Sequence, residues 1–201
     1  EILSQWLQPK DLSLLDSAYC NKVLRPRVVA LYVADEFVFD QCVRVCDEPK
    51  VLLWFTRKEI KASFVEISGA TDVAILSAYL IRNGHAVRNV ALIAFSVPEN
   101  MELIAQYCTN LTKFTCVSVL IENHFHELLE RNPCLEILDL GGLYLNNTSF
   151  VNLTLPHLHT VVVNHCRCSD HCVEMLHLMS KNIRRLDLYY CLELCDSSIL
   201  V

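Results

Sequence analysis

The densest run of chemistry-bearing side chains in this sequence is His165-Cys166-Arg167-Cys168-Ser169-Asp170-His171-Cys172. His165, Cys166, Cys168, His171 and Cys172 include enough ligands for a tetrahedral zinc ion. A second run, His124-Phe125-His126-Glu127, lacks the HExxH spacing that sets two imidazoles on one helix face around a metal. No GxSxG nucleophile elbow, Walker loop or GxGxxG occurs, and four glycines in the whole chain cannot build a phosphate cradle. Cys20 or Cys108 acting as a nucleophile would need a convergent His; both read more simply as small buried hydrophobes. No catalytic residue, cofactor or metal ligand is therefore assigned, and the chain is not expected to be an enzyme.

Composition narrows the partner classes. The 201 residues carry 17 basic and 23 acidic side chains, net charge −6, with Arg25-Pro26-Arg27 and Arg184-Arg185 as the dense basic spots. Phosphate backbones demand clustered Lys and Arg, so nucleic acid is not an expected partner. Hydrophobic residues reach 53%, enough for a sizeable core. The longest apolar runs, such as 73–81, are about half the ~20 residues of a membrane helix. No charged-then-apolar signal segment opens the chain, which begins without Met, so no membrane association is expected. The eleven cysteines are odd in number and show no CxxC…CxxC pair. They are expected to be reduced thiols in the cytoplasm or nucleus. Four sequons, at Asn110, Asn146, Asn147 and Asn152, matter only in the secretory pathway.

The elements that would position these residues follow from an internal period. An apolar-x-x-apolar-x-apolar spacing recurs as Ala62-Val65-Ile67, Val87-Val90-Leu92, Leu111-Phe114-Cys116, Leu135-Leu138-Leu140, Leu158-Val161-Val163 and Ile183-Leu186-Leu188, in steps of 25, 24, 24, 23 and 25 residues. The fourth and sixth positions alternate with their neighbours, as in Glu136-Ile137-Leu138-Asp139-Leu140, which predicts a short strand with one buried face. Between the strands, 71–82, 99–108, 123–131 and 170–180 carry apolar residues three and four apart and predict helices. One strand and one helix cannot bury their own hydrophobic face, so such units stack.

This pattern, over roughly residues 60–201, resembles the leucine-rich-repeat family. The ninth repeat position, normally Asn or Cys, falls on Cys166 and Cys191, with Asp170 and Asp196 following, as in the cysteine-containing subclass of those repeats. The resemblance implies an inward ladder side chain at those positions. The earlier units carry Ala70, Phe95, Val119 and Leu143 there, so their turns should be less regular, and Gly141-Gly142 reflects that. The implied fold is an α/β solenoid with parallel strands on its concave face and helices on its convex face. The chain ends partway into the helix of its sixth unit, where a solenoid needs a polar cap, so further residues are expected beyond Val201.

Residues 1–27 read as helix, break, helix, with Ile2, Leu3, Trp6 and Leu7 on one face and Pro9 suited to a new first turn. EILSQWLQPKDLSLLDSAYC resembles the front half of an F-box, without the Trp that usually follows the Cys or the opening Leu-Pro. That resemblance implies a Skp-type adaptor bound through Ile2, Leu3, Leu7, Pro9 and Leu12. The alternative is a helical cap over the first repeat, which an open solenoid requires. Residues 28–61 are read as an irregular first repeat, with Val28-Leu31-Val33 as its strand and a helix from Asp47 to Lys58, N-capped by Asp47. Residues 62–201 form the solenoid proper.

The functional expectation is a protein-protein interaction module that holds its partner on the concave strand face. The residues assigned to that face are Phe64, Glu66, Arg88, Asn89, Lys113, Thr115, Glu136, Asp139, His159, Thr160, Arg184, Arg185 and Asp187. With an F-box, such a protein would present substrates to a cullin-based ubiquitin ligase. The alternative is a structural subunit or scaffold within a larger assembly.

Overall fold

The computed structural model describes residues 8–9, 11–12, 14, 25–34, 37–45, 49–93, 97–117, 124–143, 145, 149–191 and 194. These form an α/β structure. The strands are β1 Val38–Arg44, β2 Lys61–Ile67, β3 Asn89–Leu92, β4 Lys113–Val117, β5 Ile137–Gly141, β6 Thr160–Asn164 and β7 Arg185–Tyr189. They make one sheet in strict chain order, and every neighbouring pair is parallel. The helices are α1 Arg25–Val33, α2 Pro49–Lys58, α3 Val73–Asn83, α4 Pro98–Tyr107, α5 Phe125–Arg131 and α6 Asp170–Met179. Among the described residues no helix joins β5 to β6, and none is long and apolar enough to cross a membrane.

Alternation along the strands dictates where the core lies. Val65 and Ile67, Val90 and Leu92, Phe114 and Cys116, Leu138 and Leu140, Val161 and Val163 all point to one side and are buried. They share a single core with Leu52 and Phe55 of α2, Leu76 and Tyr79 of α3, Ile104 of α4, Leu128 of α5 and Leu176 of α6. Strands β3 to β7 begin two residues later than the apolar spacing suggests. Val87, Leu111, Leu135 and Leu158 are buried, but their N–H groups are spent before the ladder starts. Val87, Leu135 and Leu158 donate within local turns, and Leu111 donates to the Asn132 side chain.

Local chemistry sets the helix ends. Asp72 caps α3 by accepting from Ala74 N at 2.9 Å and Ile75 N at 3.2 Å. Pro98 occupies the first turn of α4, where its missing N–H costs nothing. Gly84 follows α3 because an added Cβ would sit 2.6 Å from the Tyr107 carbonyl oxygen, so the close approach of backbone to backbone admits no side chain.

The N-terminal third departs from its sequence reading. Val28, Leu31 and Val33 lie in the helix α1, and Leu31 is 60% exposed. Pro26 in a first turn favours that helix, and the segment has no two-residue alternation. The first strand is instead β1, whose ladder shifts register between Phe39 and Cys42. The bulge separates the inward Phe39 and Val43 by four residues, which masks the period of a strand. The boundary drawn at residue 28 thus falls inside a helix. Asp47, proposed as the cap of α2, lies outside the described residues.

Candidate functional site

The sheet face opposite the helices carries the residues at the third and fifth repeat positions, and pairing register lays them out in two rows. The first runs Phe64, Asn89, Lys113, Ile137, Thr160, Arg185, and the second runs Glu66, Ala91, Thr115, Asp139, Val162, Asp187. Strand spacing of about 4.8 Å makes each row roughly 24 Å long over its five steps. Nine of the thirteen residues assigned to this face from the sequence stand in these rows: Phe64, Glu66, Asn89, Lys113, Thr115, Asp139, Thr160, Arg185 and Asp187.

The other four occupy a different row. Arg88, Glu136, His159 and Arg184 are second positions, just ahead of the strands. With Ser63 and Thr112 they form a continuous edge of backbone bonds: Arg88 N to Ser63 O, Thr112 N to Arg88 O, Glu136 N to Thr112 O, His159 N to Glu136 O and Arg184 N to His159 O. This is a rim rather than the face. Arg88 turns along it and donates to Asn110 O at 3.0 Å, while His159 sits 3.9 Å from Glu136. Sequence reading also passed over Ala91, Ile137 and Val162, which belong to the rows. Strict alternation would have found them; selecting polar side chains did not.

Charges on the face are largely self-compensated. Glu66 pairs with Arg44 of the neighbouring strand at 3.4 Å, and Asp187 pairs with Arg185 on its own strand at 2.6 Å. Lys113 and Asp139 are the exceptions, and Asp139 is the carboxylate of the two. Among the described residues Asp139 makes no hydrogen bond or ion pair, and partial burial holds its carboxyl above the usual range, opposed by the Lys113 charge.

The His/Cys run resolves into separate environments. Cys166 is fully buried, its thiol 3.6 Å from Leu140 O and 3.4 Å from Asn164 O, and its sulfur accepts from Leu143 N at 3.4 Å. Cys191 reaches back to Val163 O in the same manner at 3.6 Å. Each thiol thus ties its turn to the preceding strand. Cys168 and Cys172 are buried and hydrogen-bonded to each other, which pulls Cys172 below the ordinary thiol range and pushes Cys168 above it. Ser169 Oγ, donating to Cys172 Sγ at 3.7 Å, selects Cys172 as the first to ionise. The imidazoles point elsewhere: His165 stacks on Tyr190 at 4.7 Å, and His171 lies 3.3 Å from Glu174. Among the described residues, no three metal-binding side chains converge. Cys108, Cys116, Cys134, Cys166, Cys168 and Cys191 are free of disulfides.

Of the residues assigned to an adaptor, Ile2, Leu3 and Leu7 lie outside the described residues. Leu12 is 1% exposed and belongs to the main core, which withdraws it from any apolar patch offered to a partner. Pro9 lines a cleft of about 370 Å³ together with Gln41, Val43 and Arg44 of β1 and Val51 of α2. No protein-family model matches this sequence, and no curated protein is significantly similar to it.

Proposed function

We propose that the chain is a leucine-rich-repeat solenoid that acts as a protein-protein interaction module, without catalysis, and that its partner lies on the two-row face of the sheet. The observation that carries this reading is the register itself: seven strands in chain order bring the third and fifth positions of successive units into two continuous rows. That repetition is how a solenoid makes an extended binding surface. The rows mix Phe64, Ala91, Ile137 and Val162 with Asn, Thr, Lys, Arg and carboxylates, the blend of apolar centre and polar rim typical of a specific interface. Two further points support the reading: the helices leave this side of the sheet to its own side chains, and the turns at buried Cys166 and half-buried Cys191 are tied back to the preceding strand by the thiol, as that repeat class implies.

The N-terminal segment is read as a cap. Leu12 in the core and Pro9 beside β1 and Val51 support packing onto the first strand rather than presentation to an adaptor.

The test is affinity capture in cells with three versions of the chain. One is unaltered, one carries Lys113→Glu with Arg185→Glu on the face, and one carries Arg82→Glu with Glu102→Lys on exposed helix positions. A specific set of proteins retained by the first and third and lost by the second is the expected result. Equal capture by all three, or loss only with the helix variant, would overturn the assignment of the face. Direct titration with a purified Skp-type adaptor tests the cap: no binding is expected.

A further inference from the structure

Resting on the reading just given, we infer that Asp139 is the anchor of the interface and that the partner brings an arginine side chain to it from a segment otherwise lined with apolar residues. Three carboxylates share the second row, at Glu66, Asp139 and Asp187. The outer two are neutralised by Arg44 and Arg185, so among the described residues a bonded cation stands at each end of the row and none in its middle. Lys113 lies one position back along the neighbouring strand, and its ammonium makes no ion pair with Asp139. Among the described residues, the central carboxylate is therefore the acidic group of the row that is partly desolvated without a bonded counter-ion, a state relieved by an arriving cation.

Side-chain size makes the site reachable. Asp139 is flanked across the sheet by Thr115 and Val162, with Ala91 one strand further on. These are short groups between the long Arg44–Glu66 and Arg185–Asp187 pairs. A segment laid along the row meets a low, mostly apolar middle floored by Ala91, Ile137 and Val162, with one carboxylate in it. A planar guanidinium suits that setting better than an ammonium, because it pairs a carboxylate through two parallel bonds and is more weakly hydrated. Arginine is also the cation enriched at the centre of protein interfaces.

The same argument makes Asp139 a site where stability and binding oppose each other. Asp139→Asn removes a desolvated charge without changing shape, so the free protein should melt at a higher temperature while its binding weakens.

The test uses the full chain against displayed random twelve-residue peptides, selecting in parallel with the unaltered protein, Asp139→Asn and Asp139→Arg. The unaltered chain should enrich peptides with arginine among apolar residues. Its best peptide, synthesised, should bind Asp139→Asn about thirtyfold more weakly or worse. Asp139→Arg should instead enrich acidic peptides. Enriched peptides that lack a cation, or that bind Asp139→Asn equally well yet are lost with Lys113→Glu and Arg185→Glu, would overturn the anchor and leave the face intact. Peptides indifferent to every substitution on the face, or no enrichment at all, would overturn both. A fall in melting temperature of Asp139→Asn would also count against it, since it would make the carboxylate a structural group.

Discussion

Single buried polar residues do much to hold neighbouring units together. Asn132, fully buried, donates to Cys108 O at 2.9 Å and Leu128 O at 2.8 Å and accepts from Leu111 N at 2.8 Å. One amide thus satisfies a backbone N–H and two carbonyls that have no other place in helix or ladder. Asn132→Leu keeps the volume and orphans all three, so it should cost about 3 kcal/mol, read as a lower urea midpoint at unchanged slope. Ser180, donating to Leu158 O at 2.8 Å, plays a lesser version of the part. The thiols make a second prediction. Burial pushes Cys108 up to about 12, and Cys116 in the same direction. Below the ordinary thiol range both folded and unfolded chains hold the proton. Between about 9 and 12 only the unfolded chain releases it, so stability should decline with rising pH across that window and hold steady below it. Cys108→Val should flatten the decline. At neutral pH a thiol reagent should modify exposed Cys134 ahead of Cys108 and Cys116, which it should reach only on unfolding; labelling of Cys108 at the Cys134 rate in native protein would contradict this burial.

Strands of identical pattern are not energetically equal. Leu138 and Leu186 hold the same repeat position, but Leu138 is fully buried within the sheet while Leu186, on the edge strand β7, is 38% exposed; Leu188 beside it is half-buried. Burial of the β7 leucines, which the repeat pattern predicts, is incomplete because nothing among the described residues stacks beyond that edge. Leu138→Asp should therefore cost about 4 kcal/mol and Leu186→Asp about 1, compared by chemical denaturation; equal losses would mean that β7 is covered. Six of the seven strands and the helices from 73 onward were legible in the sequence, because apolar positions near 24 apart leave little freedom once each unit must bury its face on the next. Strand β1 was not, because its bulge breaks the two-residue alternation. The sequence reads helix α1 as a strand because Val28, Leu31 and Val33 mimic the repeat spacing, yet Leu31 is exposed. The face was legible only in part. Row membership depends on alternation, not polarity, so Ile137 and Val162 were passed over and rim residues such as Glu136 were taken in. The solitary state of Asp139 had no sequence signal, since the arginines that neutralise its row-mates lie on β1 and β7.

At the scale of the whole molecule, each described strand pairs only with its neighbours in the chain, so among the described residues no long-range crossover ties one end of the sheet to the other. Topologies built from such near contacts fold quickly for their size, and their stability sums over units and the interfaces between them. The strictly sequential order also fixes how the molecule answers to force. Pulled by its two ends, it has no strand that must be sheared out from between distant partners. It should instead peel from an edge like a strip of perforated paper, one unit at a time. Each step should free about 24 residues, or roughly 80 Å of contour length, at low and nearly equal tension. A single high rupture peak in an optical-trap trace, releasing the whole sheet at once, would show that the units are bound into one mechanical block. A row of small equal steps would make the chain a compliant spring whose two-row face shortens as it yields.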